Sequence, residues 1–215
     1  MTESTEVATA QPSGLEAFVG GYRQDIADLL PAHIDPARFV RWSLGYIRQR
    51  PRLLECRPET LLVGLLDCAR LGLELGTTYH LVPFKGVATG ITDYKGELEL
   101  IARARVVQSV HAQLVREKDD FEFQPGSGRI THEADWFSED RGLVQGGYAF
   151  GVLQDGSHTQ TVLMTVADFD RHKAASKFGN DPSSPWQVWE ESMQLKTLVH
   201  QLRKWVPWSA EWVTL

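Results

Sequence analysis

The chain has 215 residues, of which 42% are hydrophobic and 10% aromatic, and its formal net charge is −6. That size supports one large domain or two small ones around a substantial core, and no apolar run approaches the roughly 18 residues that a membrane-spanning helix needs. The N-terminus is small, polar and acidic rather than basic and then apolar, so it does not read as a secretory signal, and a cytoplasmic location is expected.

The charge is unevenly spread. Acidic residues dominate residues 1–30 (Glu3, Glu6, Glu16, Asp25, Asp28) and residues 119–141, whereas residues 171–205 carry Arg171, Lys173, Lys177, Lys196, Arg203 and Lys204 against Asp181, Glu190 and Glu191. A net negative charge argues against nucleic acid, because binding DNA releases counterions through Lys and Arg contacts to phosphate. Segregation removes that objection and marks residues 171–205 as the electrostatic candidate for a DNA surface. Cys56 and Cys68 are the only cysteines. Their spacing fits neither a disulfide framework nor a CxxC site, so buried, reduced thiols are expected.

Along the chain, residues 1–14 lack a hydrophobic pattern and read as a disordered acidic tail. Apolar residues recurring at intervals of three and four predict helices over residues 18–30 and 35–49, the second with Asp35 as N-cap and Pro36 in its first turn. A third helix is predicted from Pro58 to a stop at Gly72. The Tyr79-His80-Leu81-Val82-Pro83-Phe84 run and residues 87–92 then form a predicted hairpin about Lys85-Gly86. After Tyr94-Lys95-Gly96 comes a short helix from Glu97 to about Ala104, with Glu99 and Arg103 placed to pair at i,i+4. Alternation over residues 106–116 predicts a half-buried strand, and residues 119–146 read as loops and edge strands. Residues 148–153 and 159–164 flank Asp155-Gly156, a hairpin signal. Thr165 to Asp168 caps a helix reaching about Ser176, and the last long helix is predicted from Trp186 to Trp205, ahead of Pro207. Without regular βαβ alternation, the class is α+β: a curved antiparallel sheet with hairpins packed against helices. The domain plan is the tail 1–14 and one domain over 15–215, with helices at 15–72, a β-rich core at 79–164 and basic helices at 165–206.

The last helix is the most informative segment. At 100° per residue Val188, Leu195, Val199, Leu202 and Val206 share one line and form the expected core face, while Trp189, Met193, Lys196, His200 and Arg203 form a second stripe mixing an aromatic with cations. Cations suit phosphates and flat rings suit unpaired bases; the alternative is that Trp189 and Met193 are core and the cations a solvated face. Tyr94 and Lys95 sit beside a glycine that permits close approach of another backbone. Arg103 has Glu99 as a simple ion-pair partner. For enzymes there is little to read: no GxxxxGK[ST], GxSxG or HExxH motif occurs. His132 with Glu133 and Asp135 is the one cluster that could suggest a metal, and loop solvation explains it better. Glu97 and Glu99 point about 200° apart on a helix, which disfavours a magnesium nuclease. No metal, catalytic residue or cofactor is expected.

Several stretches in fixed order resemble the RecT family of phage-type single-strand annealing proteins over roughly residues 35–209. They are Leu61-Leu62-x-Gly64 with Arg70-Leu71-Gly72-Leu73, then Tyr79 to Phe84, then Asp93-Tyr94-Lys95-Gly96-x-Leu98-Glu99-Leu100 with Arg103. Asp119-Asp120-Phe121-Glu122, Gly147-Tyr148-Ala149, Asp155-Gly156, Pro185-Trp186, Lys196-Thr197, Lys204, Pro207 and Ser209 follow. The resemblance implies ATP-independent annealing of complementary strands in recombination, by homo-oligomeric rings or helical filaments that hold single-stranded DNA and then the annealed duplex. It also implies a partner exonuclease and a bacterial host of a phage or prophage. By carry-over, Tyr94, Lys95, Arg103, Lys196, Arg203 and Lys204 become candidate strand contacts, joined on charge and periodicity by Arg171, Lys173, Lys177, Trp189 and His200. The family pattern usually has glycine where this chain has Arg105, so a different helix exit is expected there. It also usually continues past Ser209 into a tail linked to partner binding, which makes host single-strand-binding protein the least expected partner. A single-strand-binding protein that does not anneal, and a metal-dependent nuclease, are the other readings.

Overall fold

The computed structural model describes residues 14–176, 179–182 and 184–206, and the expected tail up to residue 13 lies outside them. The chain divides into two compact units, Met1–Asp93 and Tyr94–Leu215. The first is mostly helical: α1 (Gly14–Gly21), α2 (Arg23–Leu29), α3 (Pro36–Arg48), α4 (Pro51–Leu54), α5 (Pro58–Leu71) and a hairpin of β1 (Tyr79–Phe84) with β2 (Val87–Thr92). The single helix expected over residues 18–30 is broken at Tyr22, whose φ of −104° and ψ of 17° leave the helical region. Gly20 and Gly21, poor helix formers, stand just before the break. In α3 the carboxylate of Asp35 accepts from the Arg38 amide at 2.6 Å and Pro36 occupies the first turn, as the sequence predicts.

The longest helix of this unit, α5, owes its limits to Pro58 at the start and to Gly72 at the end, in the left-handed conformation at φ 59°. It buries Leu61, Leu62, Leu65, Cys68 and Ala69. A Cβ at Gly64 would sit 2.3 Å from Leu81 Cδ2, so the missing side chain lets β1 lie close against the helix. Tyr79 is 1% exposed and its hydroxyl donates to Asp67 at 2.8 Å, giving the buried phenol the partner it requires. The hairpin turns at Lys85 and Gly86, both with positive φ, the pairing that a two-residue turn of matching twist demands. Cys56 and Cys68 are buried and unbridged, and burial pushes the Cys68 thiol up to about 12.

The second unit contains α6 (Tyr94–Arg103), β3 (Val107–Arg116), β4 (Asp120–Gln124), β5 (Arg129–Glu133), β6 (Val144–Leu153), β7 (Val162–Thr165), α7 (Val166–Ala175), α8 (Pro185–Val188) and α9 (Glu190–Leu202), followed by a 3-10 turn over Arg203–Trp205. Strands β3, β6 and β7 form an antiparallel sheet in that order, and β4 pairs with β5 as a separate hairpin. Helix α9 packs along this sheet, and Leu198 and Leu202 join Ala149, Val162, Met164 and Phe169 in the core. Gly147 makes that approach possible, since a Cβ there would meet Leu198 Cδ1 and the Gln113 carbonyl oxygen at 2.8 Å each. The α+β class holds, with three small antiparallel sheets among the described residues where one was expected.

The sequence and structure part at three places in this unit. Helix α6 begins at Tyr94 rather than Glu97, so Tyr94 and Lys95 form its first turn. The 119–146 segment, expected as loops and edge strands, contains a regular hairpin in Phe121↔His132 register. The expected continuous helix from Trp186 to Trp205 is interrupted at Trp189, at φ −132° and ψ 48°. Ser184 caps α8 and Trp186 is buried there, whereas Val188, assigned by periodicity to the core line, is 55% exposed. A periodic line drawn through an unbroken helix cannot survive that change of axis. Thr165 and Asp168 form the predicted capping box of α7.

Arg105 follows α6 at φ 54°, the conformation that glycine takes readily and that costs a residue with a Cβ roughly 1 kcal/mol or more. The helix exit is thus of the glycine type even though the residue is not. Arg105→Gly should raise the unfolding free energy by up to about 1 kcal/mol, visible as a higher Tm; a lower Tm would mean that the arginine side chain compensates for its backbone.

Candidate nucleic-acid interface

In the second unit α6 and α9 pack against each other, and a buried carboxylate lies where they meet. Glu97, in the first turn of α6, is 0% exposed. One of its oxygens, Oε1, accepts from Arg203 Nη1 at 2.8 Å and lies 2.7 Å from His200 Nδ1. The second oxygen is buried without a hydrogen-bond partner. His200 and Arg203 are three residues apart, hence neighbours on one helical face. Both are expected strand contacts, His200 by periodicity and Arg203 also by the family resemblance; both contact Glu97, and the His200 side chain remains 54% exposed.

One turn earlier on α9, the Lys196 ammonium lies 5.8 Å from the centroid of the Tyr94 ring, within the range of a cation–π contact. Tyr94 is half-buried and Lys95 beside it is exposed. Tyr94, Lys196, His200 and Arg203 are therefore brought together, on two helices distant in sequence. Arg103 pairs with Glu99 along α6, as the spacing predicts.

The remaining basic candidates have their own partners. Arg171 pairs with Asp168 within α7, and Lys173 donates to Glu190 at 2.9 Å. Glu191 accepts two bonds from Arg116 of β3, at 2.6 and 2.7 Å. The acidic first turn of α9, favoured there by the helix dipole, thus neutralises a cation on each side. Lys204 is exposed and donates to Gln201 at 2.6 Å, and Lys177 lies outside the described residues. Trp189 is 67% exposed at the α8–α9 break, so the core alternative for it does not hold; Met193 is half-buried.

His132 is better connected than its loop-like sequence setting suggests. It stands in β5 with its side chain 5% exposed, Nδ1 at 3.1 Å from the Tyr148 hydroxyl and Nε2 at 3.1 Å from Asp119. Asp119 in turn accepts from Arg141 Nε at 3.0 Å and Nη2 at 2.7 Å, and the Arg141 guanidinium lies 4.4 Å from the centroid of the Trp136 ring. His132 is therefore a structural link between hairpin and sheet, and its partners are not the adjacent Glu133 and Asp135. Among the described residues no group of three or more His, Cys, Asp or Glu side chains is arranged to hold a metal ion. None of their helices is long and apolar enough to cross a membrane.

Burial would raise the Asp119 carboxyl, but hydrogen bonds from Arg141, the Arg116 amide and His132 outweigh it and hold the group at about 2. A carboxyl held below its unfolded value of about 3.9 contributes stability above that pH and loses it as the pH falls toward 2. Asp119→Asn should therefore cost about 1 to 2 kcal/mol at pH 7, with the gap to the parent closing between pH 4 and pH 2 in urea unfolding; a gap independent of pH would contradict this.

Residues 37–214 match the RecT family. The chain is also similar to Protein RecT of Escherichia coli (strain K12), with 31% identity over 217 aligned positions that span 95% of this chain and 79% of that protein. The chain belongs to the RecT family.

Proposed function

We propose that this chain binds single-stranded DNA and anneals it to a complementary strand during recombination, without ATP and without acting as an enzyme. The observation that carries the reading is the Lys196 ammonium over the Tyr94 ring, with Lys95 exposed beside it. Such a patch offers positive charge to a phosphate and a flat ring to an unpaired base, the two things that a strand presents regardless of sequence. Membership of the RecT family supports annealing as the outcome of that binding. Independence from ATP is supported by a sequence without a GxxxxGK[ST] loop. In this reading His200 and Arg203 hold the patch in place through Glu97, and Lys196, Lys95 and Tyr94 meet the strand. The chain would work as a homo-oligomer, a ring or helical filament, in the bacterial cytoplasm, on strands left by a partner exonuclease.

Backbone cations and stacking do not distinguish bases, so affinity should fall with salt and vary little with sequence. Fluorescence-monitored pairing of two complementary oligonucleotides, in EDTA and without nucleotide, should be accelerated by the protein; unchanged or slowed pairing would overturn annealing, the slowed case marking a coating protein. Lys196→Ala and Lys95→Ala should each weaken single-strand binding and flatten its salt dependence by about 0.7 in log–log slope. Lys118, which pairs with Asp140 at 2.5 Å, is the control, and equal effects from Lys118→Ala would discredit the patch.

A further inference from the structure

The β3-β6-β7 sheet has two unlike faces. Val110, Ala112, Ala149, Val162 and Met164 turn toward the helices and join the core. On the opposite face Tyr148 and Phe150 of β6 lie with their rings 6° from parallel and 6.1 Å between centroids. Phe150 is stacked on His111, its register partner in β3, at 5.1 Å and 13°. It is also stacked on His158 at 4.6 Å and 25°, and Tyr148 is stacked on Phe121 of the β4–β5 hairpin at 5.6 Å and 22°. Five nearly parallel rings thus form a tier, with His111 and His158 exposed and Phe150 half-buried. The buried His132–Asp119–Arg141 chain holds the Tyr148 end.

The tier borders a groove of about 600 Å³ whose lining includes Arg129, His132, Phe150 and His158, and no carboxylate among the described residues. The acidic residues of the hairpin are kept off this side by strand alternation: Asp120, Glu122 and Glu133 are exposed on one face, while Phe121, Phe123, Ile130 and His132 turn to the other. The volume falls in the range of small-molecule sites, roughly 300 to 1,000 Å³. Flat rings ending in exposed histidines, in a lining without carboxylates among the described residues, suit a planar, unpaired base.

We propose that this tier is a second base-stacking site, which takes unpaired nucleobases of a single strand on the face of the sheet opposite α9. The proposal rests on the reading of the chain as a single-strand-binding protein, and it assigns base contact to Phe150, His111 and His158. A site that holds bases is blind to their removal only when it is empty. The full chain is therefore titrated by fluorescence anisotropy with an oligonucleotide and with an abasic strand of the same length. Phe150→Leu and His158→Ala should each lose on the order of tenfold in affinity for the base-containing strand and nothing for the abasic one, whereas Lys196→Ala should lose on both. Photo-crosslinking of a 4-thiothymidine strand should label peptides containing residues 144–153 or 158. Unchanged affinity in both ring variants, equal losses on the two strands, or labelling confined to α6 and α9 overturns the second site and leaves single-strand binding intact. A parent chain that binds neither strand overturns the underlying reading itself. His158 is exposed, so His158→Ala keeps the test valid should Phe150→Leu fail to fold.

Discussion

The second unit depends on one carboxylate taken out of water. Removing a charged group from solvent is expensive, and the loss is recovered only when the group finds well-placed partners of opposite charge. Glu97 finds Arg203 and His200 on α9, and through them a helix near the start of the unit is tied to one near its end. Neighbouring apolar contacts could slide by a residue at modest cost. A buried carboxylate cannot, because a shift would leave it without its cations, and its second oxygen is already without a partner. The pair therefore sets the register of α6 against α9.

That register decides what the surface offers. With His200 and Arg203 drawn to Glu97, Lys196 one turn earlier comes to lie over Tyr94, at the start of the helix that also carries Glu97. The chain's overall negative charge is no obstacle to such a patch. Glu190 and Glu191 are absorbed by Lys173 and Arg116, and Asp119 is enclosed by Arg141 and His132. Much of the acid near the basic segment is spent on internal links, so net charge is a poor guide to the field at any one face.

What was legible in the sequence was whatever depends on local chemistry. Asp35-Pro36, Pro58 with Gly72, Lys85-Gly86 and Thr165 to Asp168 each state an element boundary in their own residues, and each boundary is found in place. The Glu99–Arg103 pair follows from spacing alone. The partner of His200 and Arg203 was not legible, since Glu97 lies about a hundred residues away and its burial follows from packing. Nor was the link from His132 to Tyr148 and Asp119, which cross-strand geometry creates and adjacent residues disguise. Periodicity failed at Val188 because a break at Trp189 changes the helix axis, and nothing in the apolar pattern announces that break. Periodicity and charge marked Lys196, and the family motifs added Tyr94; that the two meet across α6 and α9 follows from packing.

Arg203 serves the fold through Glu97, and in the proposed function Lys196 meets the strand. The most direct measurement is the unfolding free energy of Arg203→Met, alone and combined with Glu97→Gln. The single variant, which leaves the carboxylate buried without its guanidinium, should lose about 2 to 4 kcal/mol, and the double variant should recover much of that loss. An Arg203→Met chain as stable as the parent but defective in strand binding would contradict that role for Arg203.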